Sequence, residues 1–161
     1  MKLKTILVPL DGSAVAETAL TPAVDLARDT NAKLVLLRAA EAHAGPMTDV
    51  VEAQVAVMRE TQEYLAAIQD RVAQVGVESV EVSAWYGAPV EAIVEAARYR
   101  KADLIVMSSH GRSGVARLVM GSVTERVLRA TTVPVLVIRP DGAPVDTLPT
   151  GSPRAKEITH V

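Results

Sequence analysis

Cysteine is absent from this chain, and so is phenylalanine. Without cysteine there can be no disulfide, no thiolate metal ligand and no thiol nucleophile. The three histidines (His43, His110 and His160) are scattered, which excludes a histidine-rich metal cluster. Aromatic residues make up only 2% of 161 positions, so Val, Leu, Ile and Ala must fill the core. No basic excess exists either. The formal net charge is −2, which argues against nucleic acid as a partner, because neutralising its backbone takes clustered Lys and Arg. Long apolar spans are missing, so no membrane helix is expected. No leader-like segment stands before Ile6-Leu7-Val8, and the default expectation is a cytoplasmic protein.

With 49% hydrophobic and 22% charged residues, the composition is that of a globular domain large enough to bury a core unaided. Short apolar runs at 4–10, 33–39, 103–107 and 133–138 read as buried strands. The alternating segment 78–84 reads as a less buried strand, suited to an edge. Between them lie helical patterns. Ala16, Ala19, Leu20, Ala23, Val24 and Ala27 form the first face, with Ser13 as its cap and Pro22 as an expected bend. Val51, Val55, Met58, Leu65, Ile68, Val72 and Val75 form the second, interrupted at Gln62 and closed by Gly76. Pro89 opens the third, with Val90, Ile93, Val94 and Ala97. A short helix from about Ser122 to Ala130 completes the set.

Five strands alternating with four helices, none joined by a hairpin-length link, predict an α/β fold. It is doubly wound, with a five-stranded parallel sheet and helices on both faces. The domain is expected over residues 1–140. After Pro140 the composition turns poor in large apolar residues and richer in Gly and Pro, and 141–161 reads as a flexible C-terminal tail.

Two strands end in unusual residues: Pro9-Leu10-Asp11-Gly12 after the first, and Met107 to Gly114 after the fourth. In an open α/β sheet, ligands bind beyond the carboxyl ends of the strands where the strand order reverses. A strand, a glycine-containing loop and the helix start at Gly121-Ser122 present backbone N–H groups to an anion. The helix dipole, the Ser122 and Thr124 hydroxyls and Arg112 would complement its charge. Neither the Walker pattern nor Gly-x-Gly-x-x-Gly occurs. Asp11 either meets the ligand or caps the next helix with Ser13. Arg112 is either a phosphate clamp or a solvated charge. His110 is either a base or a supporting loop histidine, and Trp85 and Tyr86 are expected to pack under the next helix.

The pattern from Ser108 through Thr124, with Pro9-Leu10-Asp11-Gly12-Ser13 near the start and Val133-Pro134-Val135-Leu136-Val137 at the end, resembles the universal stress protein family. The likeness covers residues 4 to about 139. The nucleotide-binding branch is marked by glycine, two residues, glycine, nine residues, glycine, then serine or threonine. Gly111, Gly121 and Ser122 match that pattern, Gly114 falls within the spacer, and Ser108 stands where the first glycine would be.

The resemblance implies the adenine nucleotide alpha hydrolase-like fold with strand order 3-2-1-4-5. It implies ATP or another adenine nucleotide, with Mg or Mn suited to the oxygen ligands. Phosphates fall at Gly111, Gly121, Ser122, Val123 and Thr124, ribose near Ser108, and adenine near Ala39 and Met107. Asp11, beside Pro9 and Leu10, would contact the nucleoside or a metal-bound water. It also implies a homodimer through the last strand, Val133 to Ile138, whose apolar edge is an association hazard if left uncovered. No carboxylate is evidently placed as a general base, so any hydrolysis is expected to be slow. The competing expectation is a dimeric interaction scaffold that binds no nucleotide. A phospho-receiver is excluded, because Trp85-Tyr86-Gly87 and Arg139-Pro140 stand where its aspartate and lysine would be.

Overall fold

The buried runs of Val, Leu and Ile become the middle of one parallel sheet, with strands β1 (Thr5–Pro9), β2 (Lys33–Ala40), β3 (Val80–Tyr86), β4 (Leu104–Ser108) and β5 (Val135–Ile138). Their order is β3-β2-β1-β4-β5, the order that the family resemblance implies. The structure is a computed structural model, described over residues 2–41, 49–110 and 120–141. Gly111 and Arg112 lie outside the described residues, as does the tail beyond Asp141.

Continuous apolar strands are needed because helices cover both faces. On one face Ile6, Val8, Leu34, Leu36 and Val106 pack against α2 (Leu20–Thr30) and α3 (Val50–Gln74). On the other, Leu7, Val35, Leu37, Ile105 and Met107 meet α4 (Pro89–Tyr99) and α5 (Ser122–Ala130). The shortage of aromatics is met by close approach: Ala19, Ala23 and Ala27, one turn apart, are almost fully buried against the sheet. Asp103 fastens the start of β4 to that of β1, its Oδ2 accepting from the backbone N–H of Lys4 at 2.8 Å and of Thr5 at 3.0 Å.

Four local expectations are corrected. The first helix is not bent at Pro22 but divided into α1 (Ala14–Glu17) and α2, with the break at Thr18-Ala19. Pro22 then sits in the first turn of α2, where its missing N–H costs nothing. The stripe of α3 is buried only in its C-terminal half, at Thr61, Leu65, Ile68 and Val72, while Val51, Val55 and the capping Val75 are exposed. Thr61, not Gln62, continues the stripe. On β3 the expected alternation is reversed: Val82 is exposed, while Ser83 is buried with its hydroxyl accepting a hydrogen bond from Trp85 Nε1 at 2.9 Å. Trp85 packs on the α4 side, but Tyr86 stands about half exposed.

The chain leaves β1 toward α1 and α2 on one face, and reaches α5 after β4 on the other. The reversal therefore falls between β1 and β4, and a crevice opens above their carboxyl ends.

Candidate functional site

At the end of β1, Leu10 extends the ladder by one bond, its N–H donating to Leu37 O at 2.7 Å. Asp11 Oδ1 then accepts from both the N–H and the hydroxyl of Ser13, at 2.9 and 2.6 Å. Ser13 Oγ in turn accepts from Ala16 N at 3.1 Å and caps α1. Asp11 therefore shapes the turn and also lines the crevice, so the capping role and a ligand role are compatible.

At the end of β4, the buried Ser108 O accepts from the Thr124 hydroxyl at 2.9 Å, tying the strand to the first turn of α5. A second tie runs from Gly121 N to Ser109 O at 2.7 Å. Gly121 has φ −56° and ψ 141°, a conformation open to any residue. What requires glycine is proximity: a Cβ there would lie 2.9 Å from Ser109 O and 3.4 Å from His110 Cα. The backbone of α5 can approach the strand end this closely only without a side chain. Having no side chain, Gly121 supplies no cap to α5. Among the described residues no side chain caps the first-turn N–H groups, which have no intrahelical acceptor and can face an anion.

These two ends face one cleft of about 400 Å³, within the range of small-molecule sites. Pro9, Leu10, Asp11, Ala39, Met107, Ser108, Gly121, Ser122, Val123 and Thr124 all line it, brought together from three strand ends and one helix start. Leu37, Pro89 and Ile93 extend its apolar wall. His110 is there as well, with Nδ1 2.9 Å from Ser109 Oγ and a buried Nε2 that has no hydrogen-bond partner among the described residues. Among the described residues no three His, Asp or Glu side chains gather as a metal site. A divalent cation entering with a polyphosphate would be held by the phosphates and water, with Asp11 nearby.

Sequence reasoning missed Arg38. Its side chain is 8% exposed, its Nη2 donates to Glu60 Oε1 at 3.2 Å, and it lines the cleft. The guanidinium lies over the ring of Tyr64, 4.9 Å from the centroid. Tyr64 donates to Glu17 Oε1 at 3.0 Å, and burial together with that carboxylate holds its hydroxyl well above the usual phenol range. The available signal was a single cation near the end of a strand that is otherwise buried.

The model of the universal stress protein family matches residues 2–139. A Staphylococcus haemolyticus protein named for that family is 33% identical over 150 residues, covering 91% of this chain and 90% of its own. Among solved structures, the universal stress protein UspA from Lactobacillus plantarum is similar with a TM-score of 0.76 at 29% identity, covering 86% of this chain and 99% of its own. A universal stress protein in complex with cAMP has a TM-score of 0.65 at 30% identity, covering 86% of this chain and 98% of its own. No described helix is long and apolar enough to cross a membrane.

Proposed function

Since the chain belongs to the universal stress protein family, we propose that it is an ATP-binding member, a nucleotide-dependent stress-response or signalling module. The observation that carries this reading is the uncapped first turn of α5 facing the same cleft as Asp11, across the β1–β4 reversal. Phosphates at Gly121, Ser122, Val123 and Thr124 would meet N–H groups and the positive end of the helix. The base would rest on the apolar surface around Ala39 and Met107, and the ribose near Ser108 and Asp11. The relative solved with cAMP supports an adenine nucleotide as the ligand class. Hydrolysis is slow at most in this reading. Glu125, the acid nearest in sequence, is engaged by Arg129 at 2.8 Å along its own helix.

Isothermal titration of the purified chain with ATP and magnesium is expected to give saturable one-site binding. Heat indistinguishable from dilution at millimolar ATP would overturn the reading and leave the dimeric scaffold in its place. The Ser108 substitution favours that scaffold, but its side chain is nearly buried, with Oγ 3.4 Å from His110 N.

The dimer belongs to the same proposal. β5 is an edge strand, and Leu136 on it is 37% exposed. Sedimentation equilibrium is expected to find a dimer at micromolar protein and a monomer in the Leu136→Lys variant, since a charge there blunts edge pairing. A wild-type monomer at that concentration would refute the interface.

A further inference from the structure

The end of β4 carries a hydroxyl where the strand has so far been apolar. Leu104 to Met107 are buried, and Ser108, which follows them, is itself only 5% exposed. Alternation along the strand sets Ser108 on the face of Leu104 and Val106, opposite Met107, and both Met107 and Ser108 line the cleft.

The polar atoms around it are engaged in ties of the fold. Ser108 O accepts from the Thr124 hydroxyl at 2.9 Å, and Ser109 N donates to Ile138 O at 2.7 Å. Ser109 O accepts from Gly121 N at 2.7 Å, and Ser109 Oγ lies 2.9 Å from His110 Nδ1. Ser108 Oγ differs. It accepts from His110 N at 3.4 Å, longer than a usual N–H···O bond, and that contact uses a lone pair and leaves the proton. Among the described residues no acceptor takes that proton. A buried donor without an acceptor is costly, and the cleft is the direction from which one can come.

Position decides which part of a ligand arrives there. With the base at Ala39 and Met107 and the phosphates at the start of α5, what passes over Ser108 is the link between them. That link is a ribose 5′-phosphate, whose oxygens all accept hydrogen bonds.

Resting on the adenine-nucleotide reading of the cleft, we propose that Ser108 is a ligand contact, its hydroxyl donating to an oxygen of the ribose 5′-phosphate. The serine that stands where the family pattern has glycine is then a gain in binding. A glycine there would let the backbone come close to the ligand. The serine replaces that approach with a directed bond.

The test is calorimetric titration of the full chain with ATP and magnesium in the wild type, Ser108→Ala and Ser108→Gly, with a urea midpoint for each. Both variants are expected to bind ATP about threefold to tenfold more weakly, at nearly unchanged midpoints. Ser108→Ala carries the variant arm if Ser108→Gly does not fold. A side chain that merely obstructs the ligand predicts the opposite sign, with glycine tightest. A folded variant that binds ATP as tightly as the wild type, or more tightly, would therefore overturn the contact while leaving nucleotide binding intact. Lowered midpoints in both variants would also overturn it, by making the hydroxyl part of the fold's own bonding. Failure of the wild type to bind ATP would overturn both this contact and the nucleotide reading.

Discussion

Gly121→Ala is expected to lower ATP affinity by about tenfold to a hundredfold and to destabilise the fold by about 1–3 kcal/mol. The added methyl would meet Ser109 O at 2.9 Å, and that atom is backbone already bonded to Gly121 N. Neither partner can yield by rotating a side chain. The start of α5 must therefore move away from the end of β4, straining the Thr124–Ser108 bond and turning the first-turn N–H groups off their common target. Ser122→Ala separates the two effects. Ser122 is exposed and makes none of these ties, so its loss should weaken ATP several-fold and leave the urea midpoint in place. If Gly121→Ala loses stability but binds ATP as the wild type does, the glycine is a structural joint alone and the phosphate site is not at α5.

Leu65→Ala should cost about 2–5 kcal/mol, a large share of the roughly 5–15 kcal/mol that holds a domain of this kind together. Leu65 is fully buried, and with Ile68 and Val72 it is how α3 grips the sheet. Val51→Ala, on the same apparent stripe, should change stability by no more than about 0.5 kcal/mol, because Val51 is 66% exposed. Equilibrium urea unfolding measures both, with an unchanged slope showing that the same surface is lost. A large effect at Val51 would mean that the first turns of α3 are covered after all.

Much of the fold is legible in local pattern because the pattern has a simple physical origin. Ile6-Leu7-Val8 and Leu104 to Met107 are apolar at every position, which only a strand covered on both faces requires. Ser122–Ala130 matches its sequence expectation residue for residue, since Gly121 and Thr131 bound it clearly. The α3 stripe misleads for the opposite reason. Helical periodicity marks a face that can be buried, and whether anything lies opposite depends on where the sheet ends. Pro22 shows another limit: a proline forbids certain helix geometries, but the chain avoids the clash by restarting the helix upstream.

By itself the sequence determined the alternation of strands and helices, the parallel sheet and the two strand ends that carry small polar residues. Those follow from spacing along the chain, where propensity, patterning and capping act. The tertiary structure alone decided that Asp11, Ala39, Ser108 and Ser122 line one cleft, because crossovers bring together residues that no local interaction couples. It also decided why position 121 is glycine. The residue serves a 2.7 Å backbone contact with Ser109, twelve positions earlier, and not a special dihedral of its own. Arg38 belongs wholly to this second class. In sequence it is a charge out of place in a buried strand, and only Gly12, Glu60 and Tyr64, packed around it from other elements, make it part of a site.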